Sequence, residues 1–122
     1  MKFARRIFLT AAGYGFVALL PQVFMEAKVG RDFPPPITHP EYFYGFIGVA
    51  LAWQFLFVLI ARDPVRYRPA MLPGALEKIA FGAAAVVLYM QGRLASATLG
   101  FGIVDLVFAT LFLIAYQRTS KT

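Results

Sequence analysis

The sequence has no cysteine, so disulfides, thiolate-held zinc, iron–sulfur clusters and thiol redox chemistry are closed to this chain on its own. It has a single histidine, His39, which rules out a bis-histidine haem within one chain. Charge is also scarce. Only 15% of the 122 residues are charged, and six of them are acidic, against roughly 25% charged residues in an average soluble domain. No stretch is long and polar enough to fold as a water-soluble domain.

What is present is apolar. Hydrophobic residues make up 60% of the chain, and a helix that crosses a bilayer needs about 20 apolar residues in a row. Four stretches approach that length: Ile7 to Met25, Tyr42 to Ala61, Ala75 to Gln91 and Ala95 to Tyr116. The expected fold is all-α, a single integral-membrane domain over residues 1–122, built as an up-down four-helix bundle in which short connections make successive helices antiparallel neighbours. Lys2, Arg5 and Arg6 before the first stretch also suit a secretory leader. Cleavage after Ala27, however, would put the bulky Met25 where a small residue is wanted, so the segment reads better as a retained helix. Pro21 is expected to kink its far end. The proline-rich FPPPITHPE reads as a stiff loop, and Tyr42, Phe43 and Tyr44 after it as an interfacial aromatic belt. Glu77 and Lys78 fall in the expected first turn of the third stretch, where both would reach headgroup water.

Cytoplasmic loops of membrane proteins carry an excess of Lys and Arg. Lys2, Arg5, Arg6, Arg62, Arg66, Arg68, Lys78, Arg118 and Lys121 fall on one side, and Lys28, Arg31 and Arg93 on the other. Nine against three predicts a multi-pass inner-membrane protein with both termini cytoplasmic. The net charge of +6 therefore reads as topology signal and not as a nucleic-acid surface. Arg62, Arg66 and Arg68 are candidate contacts to anionic lipid.

Asp105 stands out. It lies at the middle of the fourth stretch, where an acidic residue costs about 2.5–3.5 kcal/mol on insertion scales, and so it needs a partner, water or a proton. Thr98, Gly102 and Ala109 share its helix face as a stripe of small residues expected to face the bundle, while Leu99, Leu106 and Leu113 form a row expected to face lipid. Gln54 and Tyr14 lie within about 4 Å of the same depth at 1.5 Å per residue. Asp105, Gln54 and Tyr14 are thus a candidate intramembrane polar cluster, either packing glue or a proton- or substrate-handling site. Ala11 with Gly15, and Gly48 with Ala52, have the small-xxx-small spacing of close helix contacts, and Gly102 is a further candidate packing position.

Other motifs fail. His39 near Asp32 and Glu41 matches no metal-site spacing, no Ser-His-Asp arrangement can form, and the glycine pairs follow no strand as a nucleotide loop requires. No cofactor or metal is expected. Small multidrug exporters carry a glutamate in their first helix, and none lies between Ile7 and Met25; a vitamin K epoxide reductase-like bundle needs cysteines. EKIAFG at the third helix and GIVDLVFATLFLIAYQRT at the fourth make the last 45 residues or so resemble DoxX-like small bacterial membrane proteins. That resemblance implies an inner-membrane four-helix bundle and transfers no site residue. The expected role is a non-enzymatic accessory, scaffold or self-associating subunit, in contact with lipid and with its own copies or a membrane-protein partner. The alternative is a small proton-coupled transporter in which Asp105 titrates.

Overall fold

A computed structural model describes residues 2–120; Lys121, counted above among the basic residues, lies outside the described residues. All secondary structure in them is helical: α1 (Lys2–Leu19), α2 (Glu26–Asp32), α3 (Pro40–Arg62), α4 (Met71–Met90) and α5 (Ser96–Arg118), with 3₁₀ turns at Leu20–Phe24 and Arg68–Ala70. Together with these turns, four helical segments of 23 residues each are long and apolar enough to cross a membrane. Their outward faces are apolar as well. Val17 is 77% exposed and Met90 80% exposed, a distribution that suits lipid as the surrounding solvent.

The boundaries follow from local chemistry. At Pro21 the α-helix passes into a 3₁₀ turn, because proline has no N–H to return to the preceding turn. Residues 26–32, outside the four expected stretches, form the short helix α2, which is tied to α3 where the Tyr44 hydroxyl donates to Glu26 Oε1 at 3.0 Å. The third spanning helix begins at Met71, not at Ala75. Pro73 does not break it because Pro73 occupies the first turn, where backbone N–H groups have no intrahelical partner anyway. At the other end of α4, Gly92 adopts φ +72°. Its N–H donates to Tyr89 and that of Arg93 to Leu88, the paired bonds that close a helix through a left-handed glycine.

α4 packs along α5 and α1 along α3, and α1 also touches α5. The two pairs meet in an aromatic core, where Phe8 of α1 stacks on Phe112 of α5 at 4.1 Å between ring centroids and Phe57 of α3 meets Phe112 edge-on at 5.0 Å. All three rings are fully buried. Arginines pin the pairs at the end that carries the termini: Arg5 Nε donates to Ala61 O at the last turn of α3, and Arg68 Nε to Tyr116 O and Thr119 O at the end of α5. Cations are favoured there because helix C-termini expose carbonyls and partial negative charge. Consecutive spans were expected to be neighbours throughout, but α3 and α4 make little contact although only eight residues separate them. They meet where Gly74 admits the Phe57 ring, whose Cε1 would lie 3.2 Å from an added Cβ, and elsewhere they leave a groove.

Small residues set the α4–α5 distance. A Cβ added at Gly102 would lie 2.5 Å from Ala85 Cβ, and one added at Gly82 would lie 2.5 Å from Leu106 Cγ. Leu106 therefore packs into α4, whereas the leucine row was expected to face lipid. Gly82 makes room for it, and that glycine was not among the expected packing positions. Gly102→Ala should lower stability by about 1–3 kcal/mol, the usual cost of overpacking. Gly100→Ala, one turn's other face with open space around it, should be neutral or slightly stabilising. Unfolding in mixed micelles measures both; equal effects would mean that the two helices are not held at this distance.

Candidate functional site

With α4 starting at Met71, Glu77 and Lys78 are not in a first turn. Lys78 lies one residue from the centre of the span Arg68–Met90, and Asp105 two residues from the centre of the span Ser96–Arg118, offsets of about 1.5 and 3 Å along the helix axes. Lys78 is only 3% exposed. Its Nζ sits 3.5 Å from Asp105 Oδ1 and 3.9 Å from Glu77 Oε2, and it also faces the rings of Phe57 at 5.3 Å and Phe108 at 5.8 Å. Both rings are within the reach at which an aromatic face attracts an ammonium. Asp105, identified from sequence as a carboxylate needing a partner, therefore has a lysine from the neighbouring helix.

Glu77 is the second acid of the group. Consecutive residues on a helix point about 100° apart, so Lys78 faces α5 and the aromatic core while Glu77 turns toward α3. Its Oε2 is buried and makes no hydrogen bond among the described residues. Two carboxyl groups thus face one ammonium near the middle of the spans.

Tyr14 and Gln54 share this depth but not the charge cluster. The Tyr14 ring packs on Phe108, 5.8 Å between centroids, one turn from Asp105. Gln54 is buried against α1, and its Nε2 donates to Ala50 O of its own helix at 2.9 Å. Among the described residues none of Asp105, Gln54 and Tyr14 hydrogen-bonds another. Gln54 instead fills the space left by Gly15, where an added Cβ would overlap its side chain. Ala11, Gly15 and Gly102 lie buried in helix contacts, whereas Gly48 and Ala52 are exposed on α3. Of the basic loop, Arg62 and Arg66 are exposed; Arg68 is occupied at the end of α5, with its guanidinium 3.7 Å from the Tyr116 ring centroid. His39 lies 3.5 Å from Glu41, and no group of three metal-ligating side chains occurs among the described residues.

The groove between α3 and α4 runs past this cluster. It encloses about 760 Å³ and is lined on α3 by residues from Glu41 to Trp53 and on α4 by residues from Pro73 to Phe81, Glu77 among them. Ligand pockets commonly have volumes of about 300–1,000 Å³. No protein-family model, curated protein or solved structure matches this chain.

Lys78→Met would leave Asp105 and Glu77 together without their cation. Removing one partner of a buried ion pair costs about 3–5 kcal/mol, and thermal unfolding in detergent should register a loss of that order. Adding Asp105→Asn to Lys78→Met should recover at least half of it, because the cluster then returns to the single excess negative charge of the wild type. Additive losses in the double variant would show that the two side chains act independently.

Proposed function

We propose that this chain is a small bacterial inner-membrane protein, multi-pass with both termini cytoplasmic, that works as a non-enzymatic proton-coupled carrier through the Glu77–Lys78–Asp105 cluster. One observation carries the reading: two acids oppose one base at mid-span, which leaves one negative charge in excess at a depth where charges are costly. A single proton or a bound cation balances it. A cluster that can accept either one but not both couples the movement of one to that of the other, which is the minimum a coupled carrier needs. The orientation rests on the nine-to-three distribution of basic residues, and the likeness of α4 and α5 to DoxX-like proteins is in keeping with a bacterial inner membrane.

Glu77 and Asp105 should give a protonated-carboxyl infrared band that changes with pH in lipid-reconstituted protein. The band should be altered in both Asp105→Asn and Glu77→Gln, whereas Glu41→Gln, at the end of a span, should leave it in place. A folded protein whose infrared spectrum has no titrating carboxyl sensitive to either inner acid would dispose of the proton-coupled reading.

A second reading, a self-associating or accessory subunit, is favoured by one feature: Gly48 and Ala52 are both exposed, so that their small-xxx-small pair is unused within the chain and open to a second membrane helix. Cross-linking in native membranes should then trap an oligomer that Gly48→Leu disperses. A wild-type chain that stays monomeric and partner-free argues against it.

A further inference from the structure

The groove between α3 and α4 is apolar along its walls and carries two acids. It follows α3 from Glu41 to Trp53, a rise of about 18 Å at 1.5 Å per residue. On α3 it therefore reaches from the end of the span away from the termini to just past its centre, and on α4 it continues from Phe81, near the centre, down to Pro73 in the first turn. Its walls are apolar and aromatic, with Tyr42, Phe46, Trp53 and Phe81 in the lining and the rings of Phe46 and Phe81 at 6.0 Å from each other. Among the described residues the only charged ones in the lining are acids, Glu41 and Glu77, and no lysine or arginine lines it. Lys78, next in sequence to Glu77, is turned away into the bundle, where it meets Asp105.

We infer that this groove is a binding site for a lipophilic organic cation, with Glu77 as its counter-ion. An anionic or zwitterionic lipid headgroup would bring a phosphate toward two carboxylates, which repel it. A plain acyl chain would fill the apolar walls but leave uncompensated the one negative charge by which Glu77 and Asp105 exceed Lys78, which is unfavourable at this depth. A cation with an apolar body answers both demands: its body covers the aromatic lining, whose ring faces attract positive charge, and its charge balances the excess carboxylate. Glu41 at the far end of the groove attracts the same charge before it descends. The inference builds on the carrier reading and names its substrate class. Glu77 is the cation-binding group, and Lys78 with Asp105 holds the depth of α4 against α5.

Trp53 is the only tryptophan in the chain and lines the groove, so its fluorescence reports on occupancy without added labels. The full-length protein in lipid nanodiscs is titrated with tetraphenylphosphonium and, separately, with tetraphenylborate, an anion of the same shape. The cation should change Trp53 emission saturably and the anion should not. Glu77→Gln should weaken cation binding by about tenfold or more. Ala80→Phe, which fills the exposed lining position of Ala80 and leaves every charge in place, should abolish it. Non-saturable changes that are the same for both ions, or saturable binding that neither Glu77→Gln nor Ala80→Phe weakens, would overturn the inference. A carboxyl band that titrates as described above in protein that binds no tetraphenylphosphonium would overturn the groove site while leaving the proton-handling cluster intact.

Discussion

Lys78 brings an ammonium to the middle of a membrane span, and a charge there must find its counter-charge within the protein, since neither lipid nor bulk water supplies one. Asp105 answers it from the adjacent helix at 3.5 Å. The pair fixes the register of α4 on α5, since sliding either helix by one turn, about 5.4 Å, would strand both charges. A lysine and an aspartate are short enough to meet here only if the two backbones are close, and Gly82, Ala85 and Gly102 bring them close. The small residues and the ion pair therefore depend on each other: without the first the second is out of reach, and without the second the close contact has no unique register.

The other half of the molecule is assembled by a different device. α1 and α3 are held by Gln54 lying in the notch at Gly15 and by Arg5 at the end of α3. The two pairs are then joined through Phe8, Phe57 and Phe112. Because each helix pair packs along its own length, nothing requires α3 and α4 to zip together along theirs. Aromatic contact around Phe57 and Gly74 is enough to close that side of the bundle near the end with the termini, and the groove is what remains of the side left open.

The four spans and their all-helical class were legible because hydropathy runs of this length have few alternative explanations. Asp105 was legible for a related reason: an acid in the middle of such a run is conspicuous. Lys78 was not, although it is equally deep. The MLPG sequence reads as a loop, since proline and glycine punctuate most chains, and that reading places Glu77 and Lys78 at a water-facing helix start. The missing signal was positional: a proline in the first turn is compatible with a helix that begins before it, and extending α4 back to Met71 moves Lys78 to the depth of Asp105. The cluster of Asp105 with Gln54 and Tyr14 rested on depth alone, and depth does not say which faces meet. Gln54 and Asp105 turn toward different neighbours, a fact about helix rotation that one sequence does not carry. The lipid-facing row through Leu106 was misread for the complementary reason that Gly82, the residue that accommodates it, lies on another helix.

The division between Glu77 and Asp105 gives the cluster its asymmetry. Both acids lie within reach of the same ammonium, but Asp105 sees it from inside the bundle and Glu77 from the wall of the groove. A change of charge at the groove is therefore felt at Asp105 through Lys78, which stands 3.5 Å from one carboxylate and 3.9 Å from the other. Were Glu77 neutralised by a proton or by the proposed cation, Coulomb attraction would draw Lys78 to Asp105; with Glu77 charged, the ammonium is shared. Under the proposed cation site, occupancy of the groove would bear on the α4–α5 register through that ammonium, with no residue needed beyond these three.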